Sequence, residues 1–97
     1  MLNELIIEGE KLESEAIEGL ASIKYFKSVN FEVWVTKSIL YLETIHADSL
    51  VTEKVKSQYK SLNSNTNYDF YQLLLGSLKG FKEYMENQQK QAEEFTL

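Results

Sequence analysis

The stretch Asn67-Tyr68-Asp69-Phe70-Tyr71-Gln72-Leu73-Leu74-Leu75-Gly76-Ser77-Leu78-Lys79-Gly80-Phe81-Lys82-Glu83-Tyr84-Met85 decides the fold class. Phe70, Leu73, Leu74, Ser77, Leu78, Phe81, Tyr84 and Met85 recur at spacings of three and four residues, the period of one face of an α-helix. A face this apolar must be covered, and the chain's other apolar stripes have the same period. Period-two alternation is sustained nowhere, so no sheet is expected and the chain reads as all-α, a small four-helix bundle or an irregular helical array.

Working toward the N-terminus, Asn63-Ser64-Asn65-Thr66-Asn67 is rich in short polar side chains that bond their own backbone, and it reads as the loop before the last helix. Before it, Asp48 or Ser49 caps a third helix, with Glu53 at capping-box spacing and a narrow stripe of Val51, Val55, Tyr59 and Leu62. A second helix is expected to start after Asn30 as cap, to carry Phe31, Trp34, Val35, Tyr41, Leu42 and Ile45, and to end near Ala47. A first helix starts near Leu2 or Asn3 with Leu2, Leu5, Ile6, Gly9 and Leu12 on one face, where Gly9 allows close approach. Residues 13–28 stay open between a continued helix and a break. Toward the C-terminus the apolar period stops at Glu86, so residues 87–97 read as a polar helical extension or a frayed tail holding an isolated Phe95 and Leu97.

Composition bounds the function. Ninety-seven residues make one domain, 1–97, with a single small core. A hydrophobic fraction of 43% is enough to oppose an ordering entropy of roughly 1–2 kcal/mol per residue. A domain this small leaves much surface unburied, which self-association would relieve; a homodimer fits that expectation. The absence of cysteine excludes disulfides, thiolate zinc sites and a cysteine nucleophile. With no signal peptide and no span of about 20 apolar residues, a cytoplasmic location away from the membrane is expected. The net charge of −5, and basic residues that are all lysine and scattered, argue against direct binding to nucleic acid.

No catalytic, metal or cofactor constellation emerges, so the chain is expected to be non-enzymatic and to need no cofactor. His46, the single histidine, sits where a helix C-terminus favours a cation, and its reading is a capping or exposed residue. With Glu43 and Asp48 it makes only a weak metal motif. The aromatic residues at helical spacing read as core rather than as a ligand box. Gly76 and Gly80, four apart in one helix, imply close helix packing or a flat patch for a partner, since each costs about 1 kcal/mol relative to alanine. The N-terminal glutamates at 4, 8, 10, 13, 15 and 18 face only Lys11 in their own stretch. Candidate partner-binding residues are therefore Glu8 and Glu15 on this acidic surface, with Tyr68 and Tyr71 off the main stripe of the last helix.

The runs Leu5-Ile6-Ile7-Glu8-Gly9-Glu10-Lys11-Leu12, then Phe31-x-x-Trp34 with Lys37 and Leu42, then Leu75-Gly76-x-Leu78-Lys79-Gly80 carry a resemblance. In them the chain resembles a small helical module found near the N-termini of bacterial multidomain proteins, some of them associated with phage defence. The resemblance implies a helical adaptor or oligomerisation unit accompanying an effector; its shared positions are packing ones, and no catalytic residue carries over. Three functions compete at this level. They are a protein-interaction or oligomerisation module, an acidic inhibitor occupying a partner's basic nucleic-acid-binding surface, and a small-ligand sensor or enzyme built on the aromatic core.

Overall fold

The computed structural model describes residues 1–95, with side chains described to Ala92. Four helices carry the fold: α1 (Leu2–Leu12), α2 (Val29–Ile45), α3 (Leu50–Lys60) and α4 (Asn67–Phe95). Between α1 and α2 lies a small antiparallel hairpin of β1 (Ile17–Glu18) and β2 (Lys24–Tyr25), in the register Ile17 to Tyr25 and Glu18 to Lys24. The expectation of no sheet is thus corrected over residues 17–25. Strands of two residues are too short to show a period, and this one is closed by Gly19 donating its N–H to the Ile23 carbonyl at 2.8 Å. Ala21 and Ser22 adopt φ of 57° and 59°, the left-handed region that costs an L-residue roughly 1–2 kcal/mol.

α1 packs on α2 and α4, while α3 packs on α4 and α2. The α2 cap is Ser28, whose hydroxyl accepts from the Phe31 N–H at 3.2 Å, and not Asn30, which lies inside the first turn. α2 ends at Ile45, slightly short of Ala47. Ser49 caps α3 by accepting from the Val51 N–H at 3.1 Å. The α3 stripe is rotated from its predicted position: Thr52 and Val55 are buried, whereas Val51 and Tyr59 are exposed. The loop before α4 bonds its own backbone as its composition predicts, Asn65 N–H to Asn63 Oδ1 at 2.8 Å and Asn63 N–H to Thr66 Oγ1 at 3.1 Å. α4 runs helical to Phe95; Leu97 lies outside the described residues.

The core is aromatic at the end where the hairpin joins the helices. Phe26 stacks on Phe31 with ring centres 4.5 Å apart and planes 2° from parallel, and Tyr71 meets Phe26 at 4.9 Å and Trp34 at 5.5 Å. Such pairs add roughly 0.5–1.5 kcal/mol each beyond burial. Every polar group drawn into this region is held. Trp34 Nε1 donates to the Leu5 carbonyl at 2.8 Å, and the Tyr71 hydroxyl donates to the Gly9 carbonyl at 2.6 Å. Asn67 clamps the backbone of Phe26 at two points, accepting from its N–H and donating to its carbonyl, each at 2.9 Å. Gly9 is essential to this closure: a Cβ there would sit 2.6 Å from Trp34 Cζ2 and 2.9 Å from Leu75 Cδ1.

Candidate functional site: an open groove between α3 and α4

The opposite side of α4 is built differently. Leu73, Gly76, Ser77 and Gly80 form the floor of a groove of about 620 Å³, with Val51 and Lys54 of α3 on its wall and Phe81 and Tyr84 toward its end. A Cβ added at Gly76 or Gly80 would meet nothing within 4 Å. The two glycines therefore do not serve close packing within the chain; they leave the floor of the groove open. The Ser77 hydroxyl is already satisfied by the Leu73 carbonyl at 2.7 Å, so it does not make the floor polar. Tyr84 is 61% exposed and Met85 36% exposed, although both continue the apolar stripes of α4. Concave, largely apolar surfaces with a few polar groups at the rim are a common form of docking and ligand sites.

Elsewhere on α2 and α3 polar groups are buried without partners. Ser38 Oγ, Thr52 Oγ1 and His46 Nε2 are buried with no hydrogen-bond partner, the first two on residues under 2% exposed. His46 is the C-cap of α2, donating its backbone N–H to the Leu42 carbonyl, but its ring does not cap the helix. It lies half-buried, stacked 4.0 Å above Phe81 and edge-on to Tyr41, which corrects the reading of an exposed side chain. Among the described residues, no group of three or more His, Cys, Asp or Glu is placed to hold a metal ion.

A second apolar surface lies on α2, which is apolar around most of its circumference. While Phe31, Trp34, Val35 and Leu42 face inward, Val29, Val33, Leu40 and Ile45 stay exposed, and Leu40 and Ile45 line a depression of about 420 Å³ with Met1. An all-round apolar helix is ordinarily fully covered, and this one is covered on one side.

The four residues singled out from sequence are placed in two pairs. Glu8 and Glu15 both line a cleft of about 300 Å³ between α1 and α2. There the Glu8 carboxylate pairs with Lys37 at 2.8 Å, and Glu15 accepts from Asn30 Nδ2 at 3.2 Å. Other glutamates of the run are also engaged, Glu4 with the N-terminal ammonium at 2.6 Å, Glu13 with Lys24 at 3.3 Å and Glu10 with Lys79 at 3.7 Å. The ammonium beside Glu4 lowers its carboxyl pKa, and Glu13 raises that of Lys24. Exposed pairs like these contribute little stability.

Tyr68 and Tyr71 lie side by side with ring centres 5.7 Å apart. Tyr68 is half-buried, its hydroxyl donating to both Glu13 oxygens at 2.8 and 3.0 Å, an arrangement that raises its pKa. Tyr71 corrects the expectation of an exposed contact surface: it is 3% exposed, and burial pushes its hydroxyl up to about 12. The reason is the position of α1, which covers the Tyr71 and Leu75 edge of α4 and shifts the buried stripe toward it. Val51, Lys54 and Ser77 were not singled out as site residues; the signal that could have found the groove was the glycine pair. Among the described residues, no helix is long and apolar enough to cross a membrane. Comparison with protein-family models, with curated proteins and with solved structures finds no match to this chain.

Proposed function

We propose that this protein is a non-enzymatic protein-interaction or oligomerisation module, acting in the bacterial cytoplasm through the groove between α3 and α4. The observation that carries this reading is the open floor at Gly76 and Gly80. Each glycine weakens α4 by about 1 kcal/mol relative to alanine, and neither recovers that cost through a contact inside the chain. Contact with another protein supplies the missing return. The resemblance to helical modules of bacterial multidomain proteins, some associated with phage defence, agrees with an adaptor or oligomerisation role. The alternative, an acidic inhibitor of a basic nucleic-acid-binding surface, has less support, because Glu8, Glu10 and Glu13 are each paired with a lysine of this chain.

A comparison of retained proteins from a bacterial lysate separates the two. Immobilised wild type should retain a protein, this one or another, that is lost with Gly80→Arg and kept with Glu8→Lys/Glu15→Lys. The reverse pattern supports the inhibitor. Retention indifferent to both changes contradicts both.

A further inference from the structure

We propose that the groove is filled by a second copy of this chain, the two α4 helices crossing antiparallel about Gly80 so that Tyr84 of each copy seats at Gly76 of the other. The proposal rests on the interaction reading above and names its partner.

The first reason is that α4 outruns the domain it belongs to. Its 29 residues span about 43 Å at 1.5 Å per residue, and the molecule measures 57 Å along its long axis against 25 and 22 Å across. Every residue from Glu83 to Ala92 is exposed. Its side-chain contacts include two local ones, Lys82 to Glu86 at 3.9 Å and Gln88 Nε2 donating to the Tyr84 hydroxyl at 2.8 Å. An exposed helical segment of this length is marginal in water on its own. The apolar stripes nevertheless continue into it as Tyr84 and Met85, past the last residue that α3 or α2 covers.

The second reason is charge. A two-fold contact sets a surface against itself, so a charged stripe would repel its own copy. The groove stripe of Leu73, Gly76, Ser77, Gly80, Tyr84 and Gln88 has no formal charge, although the chain carries −5 overall. The charges of this part of α4 lie on its flanks. With the dyad at Gly80, Glu83 of each copy runs alongside Lys79 of the other, on the edge away from α3; Lys79 already meets Glu10 of its own chain at 3.7 Å, so the rim brings opposite charges together in a shared network while the floor is neutral.

The third reason is shape. A tyrosine ring needs a notch, and α4 presents two positions without side chains, one turn apart. Antiparallel pairing places the overhang of each copy along the groove of the other. One contact thus covers both the groove and the overhang.

Because the chain has no cysteine, single-cysteine variants report the register directly. Gly76→Cys and Gly80→Cys introduce a Cβ into open space, so the protomer fold is retained. Light scattering from micromolar to millimolar concentration should show a dimer whose mass is insensitive to moderate salt. Under mild oxidation, Gly80→Cys should cross-link with itself. Gly76→Cys and Tyr84→Cys should cross-link when mixed and scarcely when alone. A monomer throughout the range would overturn self-pairing while leaving the groove available to a different protein. A dimer in which Gly76→Cys cross-links with itself, or in which the mixture does not, would overturn the antiparallel register while leaving self-association intact.

Discussion

Gly9 and the pair Gly76 and Gly80 occupy the same kind of position, inside a helix and on an apolar stripe, and their surroundings are opposite. At Gly9 the indole of Trp34 fills the space a Cβ would need, and the Gly9 carbonyl accepts from Tyr71. At Gly76 and Gly80 the same space is empty. The contrast extends outward from the glycines. Around Gly9 the indole, phenol and carboxamide drawn into the core all have hydrogen-bond partners, whereas the unpartnered Ser38, Thr52 and His46 atoms lie on α2 and α3. One side of α4 is finished within the chain and holds the fold; the other is left open, and it is there that we propose a partner docks.

The largest expected asymmetry is between the aromatic residues of the two sides. Trp34→Ala should cost about 3–5 kcal/mol, enough to unfold much of a domain of this size, while Tyr84→Ala should change protomer stability by less than about 0.5 kcal/mol. Urea denaturation at low concentration measures both, and equal losses would break the comparison. Gly9→Ala should destabilise by about 1–3 kcal/mol despite the better helix propensity of alanine, because Trp34 and Leu75 must move.

The Tyr71 hydroxyl sharpens the point through pH. Burial raises its pKa from an ordinary value of 10 to about 12, so the folded state holds the proton after the unfolded chain has lost it. The stability this contributes is fully present below pH 10 and is lost as pH rises toward 12. Thermal midpoints measured across that window should fall for wild type and fall less for Tyr71→Phe. A smaller effect is expected on α3. Thr52→Val removes a buried hydroxyl without a partner at nearly constant volume and should be neutral or stabilising by up to about 1 kcal/mol. A clear loss in the same melting experiment would mean that the hydroxyl is satisfied.

How much of this was readable follows from what each residue's signal depends on. The four helices were legible because their apolar period extends over several turns. The hairpin was not, since β1 and β2 are two residues each and are held by the turn at Gly19 and by the Asn67 clamp on Phe26, an interaction between residues 41 apart. Ser28 and Asn30 are both good capping residues, and which one caps α2 depends on where the hairpin releases the chain. The burial of Tyr71 is hidden in the sequence for a related reason. The apolar stripe of α4 is wider than one neighbour can cover, and the period does not say which edge receives α1; here the Tyr71 edge is covered and the Leu73 and Ser77 edge is only half-buried. The groove was legible only as two glycines that a helix ought not to want.

The most direct test of the finished and unfinished sides is the concentration dependence of the thermal midpoint for wild type and for Gly76→Ala/Gly80→Ala. In the dilute protomer the alanines should stabilise α4 by about 1 kcal/mol each, raising the midpoint by several degrees per substitution. At high concentration the wild type should gain midpoint through association and the variant should gain less, because two methyl groups crowd the seat of Tyr84 and weaken the pairing. Curves that rise in parallel, or a variant less stable than wild type when dilute, would contradict the account.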